Sequence, residues 1–164
     1  MKRISDAIEL ILNSQIANEM NSSKLYLSMG NYLEYKGWVG AANLWKKYAE
    51  EENKHAEKII SYMHDRDCLA QIPLTIQPPK EFPGIKEIVV KSDEHEIKIT
   101  KDWKTIAQTA LKEMDLMTFE LAQQFVNEQI EEEAKMIYWI DRISVMESTN
   151  TSLYFLDKEM GDKA

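Results

Sequence analysis

The sequence predicts an all-α protein: a four-helix bundle with one long crossover and a short fifth helix at the C-terminus. Apolar residues recur in steps of four and three along four long stretches, the pattern of helices that each bury one face. Glycine (5) and proline (4) are scarce among 164 residues, which disfavours a turn-rich β fold. All four prolines fall at Pro73, Pro78, Pro79 and Pro83, so one connection differs from the others.

The first helix is expected over about residues 5–35, with Ile8, Leu12, Gln15, Glu19, Ser22, Tyr26, Met29 and Leu33 facing inward; Lys36-Gly37 ends it. The second, about 39–66, presents Ala41, Trp45, Tyr48, Glu52, His55, Ile59 and Tyr62. Residues 67–83 then read as an extended connection. A helix of about 28 residues is roughly 42 Å long, and about 17 extended residues reach roughly 55 Å. The connection can therefore return along the bundle and leave the second and third helices parallel. The short turns near 37 and 113 make their flanking helices antiparallel neighbours.

The third helix is expected over about 84–112. Read alone, KEIVVKSDEHEIKIT (86–100) also fits a β-hairpin, being rich in Ile and Val and partly alternating. The longer register of Ile85, Val89, Ser92, Glu96, Ile99, Trp103, Ile106 and Ala110 favours helix. A turn at Met114-Asp115 leads into the fourth helix, about 116–146, with Phe125, Gln129, Glu132, Met136, Trp139 and Ile143 inward. A polar break at 148–152 precedes an amphipathic helix at about 152–160. Residues 1–164 form one domain in this reading, with the bundle over about 5–146.

The formal charge is −8, from 28 acids and 20 bases. That balance argues against nucleic acid, which is bound through basic patches, and suits a protein that attracts cations. Cys68 is alone, which excludes an intrachain disulfide and fits a reducing compartment. The first 15 residues have polar positions on every turn rather than a signal peptide's apolar run. No apolar stretch approaches the roughly 20 residues that span a membrane. A soluble cytoplasmic protein is the expectation.

Each inward stripe carries one carboxylate near its middle: Glu19, Glu52, Glu96 and Glu132. A single glutamate on an apolar stripe is usually an edge position, and a lone EENKH is usually a solvated helix face. Four in register are different, because ionised carboxylates in a dry core repel unless protons or cations join them. No stripe carries Lys or Arg beside the acids, so a divalent metal is the expected partner. His55 lies three residues after Glu52 on the same helix face, and Glu-x-x-His with glutamates from facing helices is the pattern of a dinuclear carboxylate site. Such oxygen-rich donors with one imidazole suit Fe(II), Mn(II) or Zn(II), of which iron and manganese support redox chemistry. His64 and His95 fall outside the stripes and are expected at the surface. Tyr26 lies two turns from Glu19, either as core packing or as a hydrogen-bond or electron donor to the site.

Taken together, Glu19, Tyr26, EENKH (51–55), DEHE (93–96), NEQIEEE (127–133) and LYFLDKEM (153–160) resemble bacterial and archaeal non-haem ferritins over essentially the whole chain. The resemblance implies Glu19, Glu52 and His55 as ligands of a first iron. It implies Glu52, Glu96 and Glu132 as ligands of a second, with Glu52 bridging and Gln129 beside it. It implies a further iron site from Glu51, Glu128 and Glu131, shared with Glu132. It also implies a homo-oligomer of 24 subunits, the last helix clustering at a four-fold axis, that oxidises Fe(II) with O2 or H2O2 and stores ferric mineral. Gln124 stands where many relatives have Trp, which bears on the electron supply. Lys135 replaces the second Glu-x-x-His of bacterioferritins, and Asn53 stands at their haem-ligating Met, so no haem is expected. One cysteine cannot build the iron module of rubrerythrins. Two other readings remain: a diiron oxidase or peroxide reductase that stores nothing, and a helical scaffold whose acids are solvated.

Overall fold

A computed structural model of the chain describes residues 2–146 and 149–164. Five helices make up the fold: α1 (Asp6–Tyr35), α2 (Val39–Asp65), α3 (Ile85–Lys112), α4 (Leu116–Ser144) and α5 (Asn150–Gly161). There is no strand among the described residues. The segment 86–100 is helical, because its inward register continues unbroken to Ala110 and every inward position is buried.

Local chemistry sets the ends. Ser5 caps α1 by accepting from Ile8 N at 3.1 Å, and Asp115 caps α4 by accepting from Thr118 N at 3.1 Å. Gly37 turns the chain after α1 at φ 88°, where a side chain would be strained. The C-terminal boundaries differ from expectation. Helix α4 ends at Ser144, two residues early, and α5 begins at Asn150, inside the expected polar break. Thr149 explains the latter: its side chain accepts from Ser152 N at 3.2 Å and so starts a helix among polar residues. Ser148 lies outside the described residues.

The crossover runs in the same direction as α1. Gln71 N donates to Asn13 Oδ1 and Ile76 N to Asn21 Oδ1, both at 2.8 Å, and Ser28 Oγ donates to the Pro79 carbonyl at 2.6 Å. The chain thus reaches the end of the bundle where α2 began, and α3 starts there, parallel to α2. Helix α5 packs on α2 through Leu156 and Met160. Ala41 N donates to Asp157 Oδ1 at 2.8 Å, and a Cβ on Gly40 would come within 1.9 Å of the Asp157 carbonyl. Only glycine permits that approach.

The core consists of two apolar clusters. One surrounds Met29, Leu33, Trp45, Val89, Met136 and Trp139, and the other Leu12, Ile16, Ile59, Ile99, Trp103 and Phe125. Trp45, Trp103 and Trp139 are fully buried, and truncating any of them to alanine would cost about 3–5 kcal/mol.

Candidate metal centre

Between the two clusters each bundle helix contributes polar side chains at the same level. Glu19 is 0% exposed, Glu52 4%, Glu96 1%, Glu132 7%, His55 8% and Gln129 2%. These are not the solvated helix faces that the scaffold reading expects. Glu19, Glu52 and His55 each offer one ligand atom, and the three atoms lie within 4.8 Å of one another. His55 Nδ1 is 3.4 Å from Glu52 Oε2 and 4.0 Å from Glu19 Oε2. The i, i+3 spacing on α2 brings His55 and Glu52 together, and the crossing of α1 brings in Glu19.

The environment of Glu19 is informative. Its Oε1 accepts from Gln15 Nε2 at 2.7 Å and from Trp103 Nε1 at 3.0 Å. Its Oε2 is buried with no hydrogen-bond partner, an arrangement that costs folding free energy unless a cation fills the gap. Burial, then the charge of Glu52, holds the Glu19 carboxyl well above the usual range. Burial and the charge of Glu96 do the same to Glu52. Carboxylates that depress one another's ionisation in this way invite a shared cation.

Glu96 is held by neutral donors. Tyr26 OH donates to its Oε1 and Gln129 Nε2 to its Oε2, the latter at 3.1 Å. Burial raises the Glu96 carboxyl, and these two donors pull it partly back. Of the two roles open to Tyr26, the hydrogen bond to a carboxylate of the site is present. Burial and the neighbouring Glu96 charge keep its phenol protonated well above the ordinary range.

Glu132 overturns one expectation. Lys135 Nζ lies 2.9 Å from both its carboxylate oxygens and 3.1 Å from Glu51 Oε2. The stripe positions contain no lysine, but the i, i+3 step from Glu132 lets the long Lys135 stem bend back over the layer. Its hydrogen bonds to Glu132 and Glu51 outweigh a strong desolvation effect and hold the ammonium above its ordinary value.

The remaining acids are dispersed. Glu128 Oε1 is 3.3 Å from His55 Nε2, and its Oε2 is 3.9 Å from Lys58 Nζ. Glu131 is exposed. His64 is exposed as expected, but His95 is not a surface residue. It is half-buried, 2.6 Å from Ser22 Oγ and edge-on to the Tyr26 ring at 5.8 Å, and burial followed by the Lys98 charge pushes it down to about 4. Gln124 is exposed. The indole beside the acids is instead Trp103, stacked on Phe125 at 3.9 Å. Gln15, Trp103 and Lys135 as partners of the acids were missed from sequence. Gln15 and Lys135 were findable, lying four residues before Glu19 and three after Glu132. Trp103 reaches Glu19 only across a helix–helix contact.

The Ferritin-like domain family model matches residues 9–146. The chain is 33% identical over 155 residues to a protein of Campylobacter jejuni named "Bacterial non-heme ferritin", covering 94% of this chain and 93% of that one. It is 33% identical over 149 residues to an Escherichia coli protein of the same name, covering 91% and 90%. Among solved structures, it is similar to one described as a novel open pore ferritin from the hyperthermophilic archaeon Archaeoglobus fulgidus. That likeness has a TM-score of 0.94 at 31% identity and covers 98% of each chain.

Proposed function

Because the chain belongs to the ferritin family, we propose that it is an iron-storage subunit that oxidises the iron it takes in. The carrying observation is the buried Glu19–Glu52–His55 group with its partnerless Glu19 Oε2. Fe(II) is the substrate. Glu19, Glu52 and His55 hold a first ion, and Glu52, Glu96 and Glu132 a second, with Glu52 between them. Gln15 and Trp103 hold Glu19 by Oε1 and leave its Oε2 for an ion, while Tyr26 and Gln129 position Glu96 by one oxygen each. Anionic ligands favour Fe(III) over Fe(II), which drives oxidation. Two ferrous ions supply two electrons, enough to take O2 to peroxide or H2O2 to water with two protons. Glu51, Glu128 and Glu131 form a further iron site with Glu132.

The same proposal makes residues 1–164 one ferritin-like unit that assembles into a cytoplasmic 24-subunit cage. Family membership and the likeness to the Archaeoglobus ferritin support the assembly. No helix among the described residues is long and apolar enough to cross a membrane. Anaerobic metal-free protein is loaded with Fe(II) and exposed to air, and oxidation and retained iron are measured per particle. Rapid oxidation with iron retained, on particles eluting near twenty-four times the 19.1 kDa subunit mass, is the expected result. Turnover without retention would point to a non-storing diiron oxidase. Neither oxidation nor binding would end the proposal.

A further inference from the structure

The acids of the layer are not equally available to a metal. Glu19 and Glu52 both lie beside His55 Nδ1, and no Lys or Arg pairs with either among the described residues. Glu132 and Glu51 already share the Lys135 ammonium, at 2.9 and 3.1 Å. These two acids belong to the proposed second and further iron positions. An ammonium and a divalent ion both seek the same oxygens, and like charges at that range repel strongly in a partly buried site. Lys135 spans both Glu132 oxygens, so an ion that binds either one must push the ammonium aside.

Lys135 also has somewhere to go. It lines an open groove of about 230 Å³ with Lys47, Tyr48, Glu51, Tyr138, Trp139 and Lys163, and its Nζ lies 5.3 Å from the Tyr48 ring centre. The side chain is one-third exposed, so its stem can swing toward that groove without repacking the core. This part of the layer is half compensated without metal, one ammonium against two carboxylates, and the compensating group is tethered to the chain.

We infer that Lys135 is a tethered cation guarding the second metal position: an ion reaches Glu132 and Glu51 only by displacing it, so the first position fills before the second. This rests on the iron-binding reading above. The guard acts by charge and position. It makes occupancy of the second position dependent on ferrous ion concentration, so that single ions are held at Glu19, Glu52 and His55 until a second arrives.

The test is an anaerobic calorimetric titration of the metal-free assembly with Zn(II), which binds without turnover. Wild type should show two separate steps per subunit. Lys135→Met keeps the stem and removes the charge, and should tighten the weaker step by roughly tenfold or more while leaving the tighter step unchanged. Lys135→Arg should keep two separated steps, and Lys47→Met should match wild type. In a Zn(II)-loaded crystal structure, Lys135 Nζ should lie beyond hydrogen-bonding distance of Glu132. Two steps unaltered by Lys135→Met, or Lys135 still on Glu132 beside a bound second ion, overturn the guard and leave the iron-binding reading standing. A wild-type protein that binds no Zn(II) and no Fe(II) overturns both.

Discussion

On the α1 and α3 side of the polar layer, Glu19 and Glu96 are held by neutral donors, Gln15, Trp103, Tyr26 and Gln129. On the α2 and α4 side, Glu132 and Glu51 share the ammonium of Lys135. A neutral donor orients a carboxylate without cancelling its charge, so the acid keeps its attraction for a metal. An ammonium orients and cancels together, so a metal must first remove it. The first arrangement gives a site poised for a cation and strained without one. The second gives a site that is partly compensated when empty, although burial still holds the Glu132 carboxyl above its usual range, and that is harder to fill.

The largest effect is expected at Glu52 and His55, the α2 side chains that face Glu19 and that no ammonium covers. His55→Ala or Glu52→Ala should abolish fast Fe(II) oxidation in a stopped-flow assay, a loss beyond the roughly 10–100-fold expected for groups that only support a ligand. Size-exclusion chromatography should show assembly unchanged, since both side chains lie inside one subunit. Wild-type rates in either variant would remove these residues from the site.

Next in size is the strain itself. Glu19, Glu52 and Glu96 bind their protons more tightly folded than unfolded. Their contribution is therefore most favourable at low pH and is lost as pH rises from the ordinary carboxylate range, near about 4.3, through the raised folded values. Glu52→Gln should reduce that decline and stabilise metal-free protein at neutral pH by about 1–3 kcal/mol, while Zn(II) should stabilise wild type far more than the variant. Thermal melts across this pH range, with and without Zn(II), check both. A wild-type melt with the same pH slope as Glu52→Gln contradicts the strain.

Smaller changes should follow removal of single donors. Tyr26→Phe takes one hydrogen bond from a site carboxylate and should cost about 1 kcal/mol of stability, with metal affinity falling by up to roughly tenfold; Trp103→Phe takes one as well and also leaves a core cavity, so its stability cost should be the larger of the two. The smallest effect should come from Lys58→Met. Lys58 is exposed and 3.9 Å from Glu128, so its loss should change stability by less than about 0.5 kcal/mol. A larger effect there would show that the cationic side extends beyond Lys135.

The helices were readable because burial of one face imposes a period on the residues that form it. Positions such as Ile8, Trp45, Ile99 and Phe125 follow that period and are all buried. The four central acids were readable by the same logic, as interruptions of the stripes at one level. Lys135 was not, because a stripe lists where a Cβ points and not where a flexible four-carbon stem ends. His95 was misplaced for a related reason: one step off the stripe on α3, it is covered by Ser22 and Tyr26 of α1. The start of α5 was obscured because a threonine cap can begin a helix among residues that look like a loop.

By itself the sequence determined the number of bundle helices, the long return between the second and third, and the meeting of Glu19, Glu52, Glu96 and Glu132 with His55, since periodicity and spacing along one chain decide all of these. Only the tertiary structure decided which oxygens are left without a partner, which are held by neutral donors and which are already taken by a lysine. Those distinctions depend on where side-chain tips from different helices end up, and burial then magnifies each difference into charge and affinity.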